Sequence, residues 1–372
     1  MTNEKSIIQQ KITKLLDHFK TVLYVTDDTF LHNMQTNNLA GDDISLYQFW
    51  EWPQGVGLFA LWSLFQQTKD LHCLELLKSY YDERISIGLP DKNINTMAPI
   101  LALSYVAEYT GDEKYLEICL EWADWAANQL ARTNEDGFQH ITSDTLNNQE
   151  LWDDTLLMTV LALVNIGRII KNDSYIQEGI YQFLVHAKYL VDKKTGLWFH
   201  GFTFNGKHNF ANALWGRGNC WVTISIPILL EMIELPPSTK KYLCTLLNEQ
   251  VKSLVDHQDA SGMWHTLLDD PTSYIESSAT CGIAYGILKG VHTGVLSPSF
   301  SEFAMKAIKP ILQNITDNGE VLQVSYGTPM GRETKEFYKQ IPLKPMPYGQ
   351  ATAILFLMEA LIELKQVPKL YD

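Results

Sequence analysis

The spacing of apolar residues predicts an all-α chain folded as an (α/α)6 barrel, with six inner helices ringed by six outer ones. Three observations carry this reading. Helical spacing recurs along the whole chain, while strand-like alternation is scarce. The helices are of two kinds, and the kinds alternate. The connections alternate as well, short after one kind and long after the other.

Twelve helices are expected, over 4–21, 53–67, 70–86, 96–110, 112–131, 150–170, 173–192, 218–234, 238–257, 276–290, 299–314 and 347–365. The first is amphipathic and begins almost at Met1, with no continuous apolar run ahead of it. The second opens on Trp50-Glu51-Trp52-Pro53-Gln54-Gly55, where Pro53 suits a first turn and the tryptophans, Trp52 included, can wall a pocket. The fourth opens on Asn93-Ile94-Asn95-Thr96-Met97-Ala98-Pro99, with Asn95 as N-cap and sugar contact at once. Tyr109-Thr110-Gly111-Asp112 is a short turn into the fifth, and Lys171-Asn172-Asp173 a short turn into the seventh. The sixth opens on Trp152-Asp153-Asp154-Thr155 and runs apolar from Leu156 to Ile170. The eighth opens on Trp215-Gly216-Arg217-Gly218-Asn219-Cys220-Trp221 and is apolar from Val222 to Ile233. The ninth, Lys240 through Val255, keeps its charges on one face. Glu276-Ser277-Ser278, with Trp264-His265 before it, opens the tenth, and Tyr348-Gly349-Gln350 opens the twelfth. A helix apolar all round is buried, whereas an amphipathic one keeps a face in water. The even-numbered helices therefore form the inner ring and the odd-numbered ones the outer. No Pro/Gly/Ser-rich linker interrupts the chain, so residues 1–372 read as one domain.

Long segments at 132–149, 193–217, 258–275 and 315–346 lead into inner helices and are rich in Trp, His, Gly and Asn. Long loops gathered at one end of a rigid scaffold carry function. Composition narrows which function. A net charge of −14 repels a phosphate backbone, so no nucleic acid is expected. No apolar stretch approaches the roughly 20 residues that span a bilayer. Five scattered cysteines without a CxxC pair argue against disulfides and zinc, and the reading is a cytoplasmic protein with no metal and no cofactor. Ten tryptophans and seventeen tyrosines suit stacking on sugar rings, although large domains also use them as packing.

The acids Asp153 and Asp154, beside Trp152, are the leading chemical candidates. Desolvation beside aromatics would raise an aspartate's pKa and equip it to donate a proton near neutral pH. One acid could instead simply favour a helix N-terminus. Arg217 and Trp221, four apart on a helix, could hold and stack an acidic sugar, with Trp215 close by; a structural salt bridge for Arg217 is the alternative. His140 and His200 stand beside aromatics in the long loops before the sixth and eighth helices.

With these residues in hand, the chain resembles glycoside hydrolase family 105, the unsaturated rhamnogalacturonyl hydrolases, related to the unsaturated glucuronyl hydrolases of family 88. The matching pieces run in order: Asn-x-Asn-Thr-x-Ala-Pro at 93–99, Phe-Gln-His at 138–140, Leu-Trp-Asp-Asp-Thr-Leu at 151–156, Gly-Leu-Trp-Phe-His-Gly at 196–201 and His-Asn-Phe-Ala at 208–211. They continue with Trp-Gly-Arg-Gly-Asn-Cys-Trp at 215–221, Tyr-Ile-Glu-Ser-Ser-Ala at 274–279 and Tyr-Gly-Gln-Ala at 348–351. The resemblance implies the same barrel, Asp154 as the catalytic acid, and sugar binding by His140, Trp152, His200, Arg217 and Trp221. Some relatives carry Asp where this chain has Asn95, which cannot act as an acid.

The implied substrate is an oligosaccharide ending in a 4,5-unsaturated uronic acid, attacked by hydration of its double bond. Oligomeric state and the attached sugar are left open. Two rivals remain. One is another barrel enzyme of sugars, either an epimerase or an inverting glycosidase, the latter with Asp153, Glu51 or Glu276 as a second acid. The other is a non-catalytic sugar-binding protein.

Overall fold

The computed structural model describes residues 2–37 and 43–364. Six helices close an inner ring: α3 (Trp52–Thr68), α5 (Ala98–Thr110), α7 (Leu161–Ile170), α9 (Gly216–Met232), α11 (Ser277–His292) and α15 (Pro347–Glu363). Each packs on the next, and α15 returns to α3. Outside them lie α1 (Thr2–Leu23), α4 (Leu71–Ile87), α6 (Glu113–Asn128), α8 (Asp173–Leu190), α10 (Pro237–Asp256) and the pair α12 (Ser301–Lys306) and α13 (Ile308–Asn314). The expected (α/α)6 barrel and its inner-outer alternation are therefore present. Short helices α2 (Asp28–Asn37) and α14 (Glu336–Lys339) were not expected and lie in connections. Residue 365, the expected end of the last helix, is outside the described residues.

The inner helices stop and start where their sequences direct. Glu51 caps α3 in a reciprocal box with Gln54, and Pro53 fills the first turn. Gly111 takes a left-handed φ of 70° to end α5. The inner ring also needs close backbones: a Cβ on Gly55 would lie 2.5 Å from the Ala98 carbonyl carbon, so α3 meets α5 without a side chain between them. On α1, Ile8, Ile12, Leu15, Leu16 and Phe19 follow helical spacing, and all are buried.

Three expectations are corrected. The helix expected over 299–314 breaks at Ala307. Pro310 lacks the N–H that would bond the Lys306 carbonyl, and its ring crowds that carbonyl. The helix expected from residue 150 begins instead as a strand. β1 (Glu150–Trp152) pairs antiparallel with β2 (Gly201–Thr203), setting Trp152 against Gly201, and the Asp153 amide donates to the His200 carbonyl at 3.0 Å. A turn at 153–154 and one wide π turn (Leu156–Val160) then lead into α7. Asn95 is not the cap of α5; the Asn93 side chain accepts from the amides of Asn95 and Thr96 at 2.8 and 3.0 Å.

At the far end of the ring, His292 bridges Glu359 at 2.6 Å and Glu363 at 2.9 Å. The Glu359 hydrogen bond raises the His292 pKa above 6.5, burial opposes it, and Glu363 adds to the rise. The folded state therefore holds this proton more tightly than the unfolded chain. Its contribution is complete below the unfolded pKa of about 6.5 and fades as pH rises through the higher folded value. His292→Asn is expected to lower Tm by roughly 2 °C near pH 6. The difference should shrink towards pH 9, as followed by thermal unfolding across pH.

Candidate active site

The long connections meet at the N-terminal ends of the inner helices and enclose a cavity of about 540 Å³. Trp52, Asn95, His140, Trp152, Asp154 and Trp215 all line it. His200, Arg217 and Trp221 do not; they stand behind the wall.

The acid pair sits where β1 turns towards α7. Asp153 is wholly buried. Gly218, in the first turn of α9, lies so close that a Cβ there would fall 2.3 Å from Asp153 Oδ2. Asp154 retains limited exposure and faces the cavity. Burial, then the Asp154 charge and a hydrogen bond shared with Asp154, push Asp153 well above the ordinary aspartate range. Burial would raise Asp154 too, but His200, with Nε2 3.4 Å from the carboxylate, then His140 and the Asp153 carboxyl outweigh it and draw Asp154 below the ordinary aspartate range. The sequence expectation of a desolvated aspartate with a raised pKa is met by Asp153, while its neighbour Asp154 is drawn the other way.

Histidines flank the pair. His140 stacks on Trp152 with centroids 4.3 Å apart and bonds the Thr155 hydroxyl at 2.8 Å. Burial depresses its pKa to about 3, so it is a neutral imidazole. His200 packs on Trp215 at 4.2 Å and points Nε2 at Asp154 Oδ2, 3.4 Å away. Its Nδ1 lies 2.6 Å from the Tyr338 hydroxyl, which accepts from the Gly331 amide at 3.1 Å. Tyr338 keeps its proton because burial pushes its pKa up. The Tyr338 proton then goes to His200 Nδ1, which leaves the imidazole proton on Nε2, aimed at Asp154.

Asp153, Asp154 and His200 offer ligand atoms within 4.8 Å of one another, a juxtaposition hidden by their separation in sequence. In the tautomer just derived, however, Nε2 presents a proton rather than a lone pair. As bonded, the cluster is a hydrogen-bonding set, and Nδ1 and Nε2 would have to exchange roles to hold a cation.

Arg217 requires the largest revision. Its guanidinium is buried; Nη1 donates to Ser325 O and Oγ at 2.8 and 2.6 Å, and Nη2 to Tyr326 O and Thr328 Oγ1 at 3.0 Å each. Glu276 lies 3.7 Å away. Trp215 and Tyr348 pack against its guanidinium at 4.9 and 4.7 Å. The fork expected for a sugar carboxylate is spent on the 325–328 segment, which itself forms cavity wall. Trp221 is fully buried and edges against Trp52, which stacks on Tyr348 at 4.4 Å. Among the possible second acids, Asp153 and Glu276 are buried away from the cavity, and Glu51 lines it.

Sequence reasoning missed Asp27, Phe30, Asn33, Arg332 and Lys344, all on the cavity wall. The 315–346 segment was recognised as functional from its length, without naming its residues; nothing flagged the segment around α2. Arg332 and Lys344 are the permanent cations on this wall among the described residues. Arg332 is paired with Glu150 at 2.7 Å.

A deep, aromatic-walled cavity at the mouth of a closed helical double ring, with Asp154 and His140 on its wall and Asp153 and His200 behind them, fits the class of carbohydrate-active (α/α)6-barrel enzymes. Comparison with known proteins agrees. The sequence pattern of Glycosyl Hydrolase Family 88 matches residues 26–364, and the chain belongs to this family of glycoside hydrolases. It is 32% identical over 321 residues to the unsaturated rhamnogalacturonyl hydrolase YesR of Bacillus subtilis (strain 168), covering 86% of this chain and 91% of that one. Two solved structures, each described as a possible member of the GH105 family, are similar throughout. The one from Salmonella enterica serovar Paratyphi A has TM-score 0.87 and 43% identity, covering 98% of this chain and 95% of its own. The one from Klebsiella pneumoniae has TM-score 0.87 and 42% identity, covering 98% and 94%.

Proposed function

We propose that this hydrolase removes a 4,5-unsaturated uronic acid from the non-reducing end of lyase-generated oligosaccharides, rhamnogalacturonan disaccharide among them. The observation that carries the reading is the placement of the two acids, with Asp154 presented to the cavity beside His200 and Asp153 sealed behind it. The name of the Bacillus relative supports the substrate class. A cytoplasmic place in pectin breakdown belongs to the same proposal.

Hydration needs an acid that then becomes a base, and one carboxyl can serve both steps. The pair's proton rests on Asp153 and reaches Asp154 before the chemistry begins. Asp154 gives it to C4, and the resulting cation at C5 is shared with the ring oxygen. The carboxylate of Asp154 then takes a proton from the water whose oxygen bonds C5. The C5 hemiketal opens to a ketone, and the hemiacetal freed at C1 expels the attached sugar as an alcohol. One water is consumed. His200 Nε2–H orients the Asp154 carboxylate, and Trp152, Trp52 and Trp215 offer faces to sugar rings.

The test is a panel of lyase-made disaccharides with saturated controls, followed by absorbance of the double bond. Unsaturated substrates are expected to lose that absorbance as the sugar is released, and saturated ones to be inert. Release from saturated substrates alone, with no loss of absorbance, would point to an inverting glycosidase.

A further inference from the structure

Arg332 stands on the cavity wall with its guanidinium held in place by its neighbours. Nη1 donates to Glu150 Oε1 at 2.7 Å, and Nη2 donates to Glu150 Oε2 at 3.2 Å and to Asn147 Oδ1 at 3.1 Å. The Phe210 ring packs against it at 5.2 Å. Neither the Nε–H nor the second Nη1–H has an acceptor among the described residues, and the side chain is 48% exposed. Glu150 is itself buried and accepts from the Trp152 indole at 3.0 Å through the same Oε2, so the guanidinium borders the N–H edge of that indole. Phe210 is fixed as well. Asn209 Nδ2 donates to the Tyr189 and Gly201 carbonyls at 3.0 Å each, the Phe210 amide donates to His208 Nδ1 at 3.0 Å, and Phe210 takes a left-handed φ of 52°, uncommon for a bulky side chain. These residues are the His-Asn-Phe-Ala piece at 208–211, to which the reaction itself gives no role.

We infer that Arg332 selects the sugar attached to the uronate, donating its two spare N–H groups to oxygens of that sugar while Phe210 backs the guanidinium. This rests on the unsaturated-uronate reading above. Depth decides which sugar Arg332 meets. The barrel below the cavity is packed core, so a substrate enters by its non-reducing end. The Asp154 side chain is 16% exposed and lies deeper than Arg332. C4 must reach Asp154, and C1 lies across the pyranose ring from C4, so the glycosidic bond points towards the mouth. Charge agrees with depth. Glu150 already balances the charge of Arg332, which leaves donors suited to the oxygens of a neutral sugar rather than to the uronate carboxylate.

The experiment compares kcat/KM on the unsaturated rhamnogalacturonan disaccharide with kcat/KM on the methyl glycoside of the same unsaturated uronate. The variants are Arg332→Lys and the double substitution Glu150→Gln with Arg332→Met. In Arg332→Lys, the three protons of the ammonium are matched by Glu150 Oε1, Glu150 Oε2 and Asn147 Oδ1, leaving none for substrate. The double variant removes both charges together and keeps an acceptor for the Trp152 indole. The wild type is expected to prefer the disaccharide, and the disaccharide-to-methyl-glycoside ratio should fall about tenfold in both variants, mainly through KM. A fall of less than about threefold in either variant, including an equal loss on both substrates, overturns the inference. The ratio is internal to each preparation, so a partly unfolded variant lowers both rates alike and leaves it readable. A wild type that turns over neither substrate overturns the unsaturated-uronate reading and this inference with it; a wild type active on both, with the ratio unchanged in the variants, overturns this inference alone.

Discussion

Asp154→Asn is expected to lower kcat on an unsaturated disaccharide by about 10²–10⁴-fold while leaving the fold intact. The substitution keeps the shape of a side chain that faces the cavity, so thermal unfolding should change little. Near-normal turnover by a folded variant would remove Asp154 from the chemistry. Asp153→Asn is the informative companion. It keeps the buried volume but removes the group that stores the pair's proton, leaving Asp154 alone beside His200. Activity should fall by about 10²-fold, and the remaining activity should shift towards acid pH, where Asp154 can be protonated directly. A pH profile unchanged in shape would mean that Asp153 only packs against Gly218.

Arg217→Met should destabilise the protein by about 3 kcal/mol or more, because it leaves Glu276 buried without its cation and releases four hydrogen bonds to the 325–328 segment. Calorimetry should show Tm lowered by roughly 5 °C or more. Because Tyr326, Gly327 and Thr328 form cavity wall, KM should rise as well, by about tenfold. The two effects arise together if Arg217 acts through the wall. A large rise in KM with an unchanged Tm would instead show the guanidinium meeting substrate directly, as the sequence had suggested.

The barrel was legible because burial leaves a periodic trace. An inner helix such as α9 is apolar on every face and an outer one such as α10 on a single face, and that contrast needs no knowledge of partners. The site was legible where a chemical residue sits beside a helix start: Trp52, Asp154 and Trp215 were all found this way and all reach the cavity. What failed was whatever depends on distant partners. The β1–β2 pairing joins residues some fifty positions apart and left no local period over 150–152. Which of the two acids is raised could not be read locally, because His200, from another loop, opposes desolvation at Asp154. Arg217 looked like a free fork because its acceptors at 325–328 lie more than a hundred residues away. Asp27 and Lys344 had neither a period nor a motif.

The ring described above closes between its ends: α15 packs on α3 and also on α1, so the two extremes of the described chain lie side by side. This sets an order of assembly. Each helix hairpin can form as soon as it emerges during synthesis, but the last seam of α3 has no partner until α15 has been made. Until then the growing barrel is an open arc in which α3 lacks its cover from α15. Long-range closure of this kind is slow and leaves intermediates that stick to one another. Poor yields on refolding would therefore trace to this seam rather than to any single helix.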